Sequence, residues 1–146
     1  MNKQKGFSAI HVVILLIIAG FAFLGYHFYE QSAVKKANAE STSALNNLKT
    51  KLDDKMAVAS STPRIGLGAV LNDLATIKTE VSSVKVSECL EPAKESLVKY
   101  ANTEVNMMTA FAGDRMDTAE DYAEYQTNKS KHESEFAKNL ERCKAK

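Results

Sequence analysis

Apolar and polar positions divide the chain into one unbroken apolar run followed by a long polar stretch with helical periodicity. From Gly6 to Tyr29 there is no Asp, Glu, Lys or Arg. At a rise of about 1.5 Å per residue this run spans roughly 35 Å as a helix, enough to cross the hydrocarbon core of a bilayer. Lys3 and Lys5 precede it, and Phe21, Phe23, Tyr26, Phe28 and Tyr29 crowd its far end. Aromatic rings favour the lipid–water boundary. Segment 7–29 is therefore expected to be a transmembrane helix.

Beyond it, Val34, Ala37, Leu45, Leu48, Leu52, Met56 and Ala59 recur every three or four residues, with no Gly or Pro between Tyr29 and Thr62. That stripe predicts a stalk helix over 30–61 continuing the membrane segment as one helix of about 55 residues. Ser41-Thr42-Ser43 offers a point for a fray or short linker. Thr62-Pro63 then predicts a new helix, with Thr62 as cap and Pro63 in its first turn. Leu67, Val70, Leu71, Leu74, Ile77, Val81 and Val84 form its apolar face. A third helix has Pro92 in its first turn and the stripe Leu90, Ala93, Leu97, Tyr100, Ala101, Val105, Met108 and Phe111. Gly113 should cap its end and Asp114 should open a fourth helix from about Arg115 to Lys144.

The fourth helix has an interrupted stripe. Met116, Ala119, Tyr122 and Ala123 come first, Gln126 to Glu133 is almost wholly polar, and Phe136, Ala137 and Leu140 follow. The polar middle reads as a solvated face, with a site of contact with something polar as the alternative. Its acidic start and basic end complement the helix dipole. The fold expected is all-α: a transmembrane helix continuing into a long stalk, packed with a small antiparallel helical bundle over 62–146. The alternative is a free three-helix bundle on a flexible tether. Leu71, Leu74, Ile77, Val81, Leu97, Ala101, Met108 and Phe111 are expected to share one core.

Composition narrows this further. The 146 residues carry 25% charged side chains at a net charge of +1, so no strong field draws the chain to nucleic acid. With 6 Gly and 2 Pro, breakers are scarce and helices are favoured. Both cysteines, Cys89 and Cys143, follow the apolar run, which suits a disulfide in an oxidising compartment. Cys89 lies about 25 residues before the Gly113–Arg115 turn and Cys143 about 28 after it, so an antiparallel hairpin brings them level to within roughly 5 Å. A bridge between them is expected. With the short N-terminal tail, it implies a single-pass protein of the cytoplasmic membrane, N-terminus inside and C-terminal domain outside.

The first residues, MNKQKGFS, resemble the leader and cleavage site of type IV pilins and pseudopilins: a short basic leader ending in Gly, then Phe, then Ser or Thr, then an apolar helix. The resemblance implies that leader 1–6 is removed after Gly6 and that Phe7 becomes the methylated N-terminus. It covers about the first thirty residues. It departs at His11, where the family has a Glu that helps subunits assemble, and at Phe28, near which many members have Pro. Without the carboxylate, cleavage with weak self-assembly through the anchor is implied, as for a minor subunit. An ordinary signal anchor is the alternative.

No catalytic constellation is visible. The three histidines are His11 and His27 in the apolar run and His132 in a charged stretch. There is no HExxH, CxxC or phosphate-binding glycine loop, so neither a metal site nor an enzyme is expected. Met107, Met108 and His132 raise a haem held by one Met and one His, against the plainer reading that the methionines pack the core. The function expected is structural or partner-binding at the membrane, with a tethered ligand- or cofactor-binding bundle as the alternative.

Overall fold

The computed structural model describes residues 9–115 and 118–144, with the side chains of 9–28 and of Glu30 outside that description. The processing pair Gly6 and Phe7 therefore lies outside the described residues; of the expected membrane segment 7–29 the helical backbone from Ala9 and the side chain of Tyr29 are described, and the side chains of His11 and His27 are not. Among the described residues no helix is long and apolar enough to cross a membrane. The described chain is helical throughout: α1 (Ala9–Ser61), α2 (Leu67–Ser83), α3 (Glu91–Ala112) and α4 (Ala119–Lys144), with short 3-10 turns at Arg64–Gly66 and Glu88–Leu90.

Contacts separate two compact units, Met1–Lys36 and Ala37–Lys146. In the first, Tyr29 and Val34 are exposed and the Ser32 hydroxyl donates to the Tyr29 carbonyl. The second unit packs the rest of α1 with α2, α3 and α4. Lys51 meets Glu80 and Lys55 meets Asp73, so α1 and α2 run antiparallel. Tyr125 meets Glu104 and Asn139 meets Ser96, so α3 and α4 do too. The α1 stripe buries Leu45, Leu52, Met56 and Ala59, whereas Ala37 is exposed. Because α1 contributes Leu45, Leu52, Met56 and Ala59 to the shared core, the free three-helix bundle does not describe this chain. No fray marks Ser41–Ser43, and the Ser41 hydroxyl oxygen accepts the Ser87 N–H at 3.1 Å.

Leu74, Ile77, Val81, Leu97, Ala101 and Met108 share one core cluster, with Leu71 partly buried against it. Phe111 does not belong to it. It is 40% exposed and its ring instead carries the Arg64 guanidinium, 4.9 Å from the centroid.

Gly113 caps the end of α3 as expected, whereas the starts of α2 and α4 differ from expectation. Thr62 does not cap forward: its hydroxyl donates back to Val58, Pro63 leads into the 3-10 turn, and α2 begins at Leu67. Gly113 stays in a right-handed conformation, and Asp114, at φ 58°, takes the left-handed position after α3. The Arg115 N–H then reaches Ala110 O and the Asp114 N–H reaches Phe111 O, satisfying terminal carbonyls as a Schellman motif does. Asp can occupy that conformation at modest cost. Its carboxylate is thereby directed to Arg64 instead of to α4. Thr118 caps α4, its hydroxyl oxygen accepting the Asp121 N–H at 3.1 Å and its O–H donating to the Asp121 carboxylate at 2.7 Å.

Candidate functional site

Four-residue spacing on three helices builds a polar network inside the second unit. Lys49 and Asp53 lie on α1, Tyr100 and Glu104 on α3, and Tyr125, Lys129 and Glu133 on α4. Residues four apart lie on one helix face. These three faces converge.

Glu104 is the centre, and it is 0% exposed. Its position between Ala101 and Met108 continues the α3 apolar stripe, so helix geometry forces the carboxylate inward. Burial of an ionised group is costly without partners. One oxygen accepts the Tyr125 hydroxyl at 2.8 Å, and the other faces the Lys129 ammonium at 2.9 Å in an ion pair short of hydrogen-bond alignment. The Lys129 ammonium also donates to the Tyr125 hydroxyl oxygen at 3.3 Å.

A second set of contacts joins α1. The Tyr100 hydroxyl donates to Asp53 at 2.8 Å, Lys49 donates to the other Asp53 oxygen at 2.7 Å, and Lys49 pairs with Glu133 at 2.9 Å. Both ammonium groups lie over tyrosine rings: Lys49 is 5.2 Å from the Tyr100 centroid and Lys129 is 5.7 Å from that of Tyr125.

The electrostatics follow from this arrangement. Burial lowers the proton affinity of Lys49 and Lys129, yet both end above the usual lysine value. The hydrogen bond from Lys49 to Asp53 and the ion pairs of Lys49 with Glu133 and of Lys129 with Glu104 outweigh burial. Burial, then the hydrogen bond to Glu104, pushes the Tyr125 hydroxyl up to about 12. Burial and the bond to Asp53 raise Tyr100 in the same direction.

Beside the network lies a cavity of about 490 Å³, with Met56, Met107, Tyr122, Tyr125, Lys129 and Glu133 in its wall. The expected apolar start of α4 does not fill it. Ala119, Tyr122 and Ala123 are exposed, Tyr122 at 55%. On the other side of Met107 and Tyr125 is a smaller cavity of about 280 Å³ that reaches Arg115 and Glu124. The polar stretch Gln126–Glu133 is thus not simply a solvated face. Lys129 within it, and Tyr125 just before it, hold the buried carboxylate.

The remaining candidates have plain positions. Cys89 and Cys143 are paired, with Cα atoms 5.5 Å apart, within the range a disulfide spans. Met108 is buried in the core and Met107 packs against it. His132 faces Glu135 at 3.4 Å and lines neither cavity that Met107 lines. Among the described residues no group of three or more His, Cys, Asp and Glu is arranged to hold a metal ion. Comparison with known protein families, characterised proteins and solved structures finds no match for this chain.

Proposed function

We propose that this chain is a membrane-anchored extracytoplasmic protein whose helical domain has a structural or partner-binding role. Segment 7–29 is the anchor in this reading, with the N-terminus in the cytoplasm and the bundle outside. The observation that carries it is the Cys89–Cys143 pair. Two cysteines brought together across the bundle suit an oxidising compartment, and the uncharged run before Glu30 supplies a route to the membrane. No residue is assigned a catalytic role, and nucleic acid is not a partner in this reading.

Its most specific form is a minor pilin-like subunit processed between Gly6 and Phe7. His11 then explains weak assembly: neutral imidazole offers no charge opposite a neighbour's N-terminal amine, and imidazolium repels it. Mass spectrometry of the mature chain tests this form. An N-terminal methylated Phe7 is expected, and a chain beginning at Met1 or Asn2 rejects it and leaves a plain signal anchor. Thiol titration without reductant tests the compartment, since free thiols at Cys89 and Cys143 would overturn an extracytoplasmic bundle.

A second reading, a tethered ligand-binding bundle, is favoured by the cavity beside Glu104. The two readings predict different purifications. An assembling subunit is recovered with surface filaments, whereas a binding bundle stays in the membrane and brings a small ligand or chromophore with it.

A further inference from the structure

We propose that the cavity between α1, α3 and α4 is a site for a small organic cation, an alkylammonium with a short apolar chain. The inference deepens the second reading above and does not depend on how the N-terminus is processed.

Charge is the first argument. The network holds three carboxylates (Asp53, Glu104 and Glu133) and two ammonium groups (Lys49 and Lys129), leaving it one negative charge in excess. The surplus is localised. Both Asp53 oxygens and both Glu104 oxygens are engaged, whereas Glu133 uses Oε1 on Lys49 and is 48% exposed at the cavity wall. The raised proton affinities of Lys49 and Lys129 accord with a negative potential that outweighs desolvation.

Aromatic geometry is the second. Tyr100 and Tyr125 already have lysine ammonium groups over their rings. Tyr122 lines the same cavity, half exposed, 6.1 Å from Tyr125 between centroids and tilted by 44°. Its ring offers a further face to a cation in the arrangement Lys49 and Lys129 adopt on its neighbours. Met56, Ala57 and Met107 supply apolar wall for a short chain. A volume of about 490 Å³ falls within the range of small-molecule sites. An anionic head of the same shape would meet the Glu133 carboxylate as a like charge, because Lys49 is already shared between Asp53 and Glu133. An inorganic cation would leave the methionine wall uncovered.

Isothermal titration of the full chain in a non-ionic detergent tests this, with butyltrimethylammonium as probe and pentanoate as its anionic counterpart. Saturable binding of the cation with a Kd below about 1 mM is expected, with none for pentanoate. Glu133→Gln and Tyr122→Ala should each weaken it by about threefold to tenfold, the range of an exposed charge or ring contact. Both side chains are solvent-accessible, so thermal melts should stay close to that of the parent chain; if Tyr122→Ala melts early, Tyr122→Phe, which keeps the ring, must still bind. Glu124→Gln, in the wall of the other cavity, should bind as the parent does. Equal binding of pentanoate, no saturable heat up to about 10 mM, or parent-like affinity in both cavity variants would overturn the proposal. That failure would leave the anchored reading standing, because N-terminal mass and thiol content decide that one.

Discussion

At one end of the α3–α4 hairpin, Phe136, Leu140 and Cys143 are buried in the cluster that holds Leu90, Ala93 and Leu97. Ser96 and Asn139 add a hydrogen bond of 3.1 Å there, and the cysteine pair staples the last turn of α4 to the turn before α3. At the other end, α4 begins fully exposed and meets α3 through Tyr125 and Lys129 around Glu104. The first end is held by apolar area and a covalent link. The second is held by directional contacts around a buried charge, with cavities on both sides of Tyr125. Apolar packing tolerates small shifts, whereas a buried carboxylate permits few arrangements because every unmet partner is costly. Space is left at both ends, about 350 Å³ beside Cys89 and Asn139 as well as the two cavities at Tyr125, so the buried charge and not the room distinguishes the polar end.

The sharpest way to break this comparison is Glu104→Ala. It leaves the Lys129 ammonium and the Tyr125 hydroxyl without their acceptor and should cost about 3–5 kcal/mol in denaturant unfolding. Pairing Glu104→Leu with Lys129→Met should recover most of that loss, because a buried ion pair can be replaced by apolar side chains of similar volume. If the single variant is as stable as the parent, the network is not holding the polar end. The same end should show alkaline sensitivity. Lys49, Lys129, Tyr100 and Tyr125 all hold their protons more tightly when folded. Their contribution is therefore complete below the unfolded values near pH 10 and is lost as pH rises, for Tyr125 through about 12. Glu104→Gln should flatten that decline in pH-dependent unfolding.

Leu97→Ala probes the apolar end and should cost about 2–5 kcal/mol without changing the alkaline profile. Removing the staple with Cys89→Ala and Cys143→Ala, whose parent closes a separation of 54 residues, should cost at most about 4 kcal/mol on the chain-entropy model. A loss confined to exchange protection of the last α4 turns would sharpen the contrast between the ends. Thr118→Ala should have the smallest effect, about 1 kcal/mol, felt as fraying of the exposed start of α4. A larger effect would mean that the start of α4 supports the polar network.

Much of the bundle is legible in the residue pattern. Leu45, Leu52, Leu74, Ile77, Val81 and Leu97 follow helical spacing, and a 3.6-residue period puts such residues on one face whatever surrounds them. The cysteine pairing follows from the same regularity, because two antiparallel helices about a known turn bring fixed positions level. Helix ends are less legible. Thr62, Asp114 and Thr118 are all competent caps, and which one acts depends on contacts such as Arg64 with Asp114, fifty positions apart in the chain.

The candidate site was hidden for a related reason. Glu104 occupies an apolar-stripe position, but a single Glu in a stripe has the same local signature whether it turns out to solvent or in to a partner. Lys129 belongs to a stretch that reads as surface, and Tyr125 lies just before it. What the sequence determined alone was the run of helices beyond residue 30, most of the buried faces of α2 and α3 and the place where the cysteines meet, since these follow from period and length. The tertiary structure decided that three polar faces meet inside the bundle, because the neutralisation of Glu104 by Lys129 and Tyr125 needs groups from two helices at one point in space.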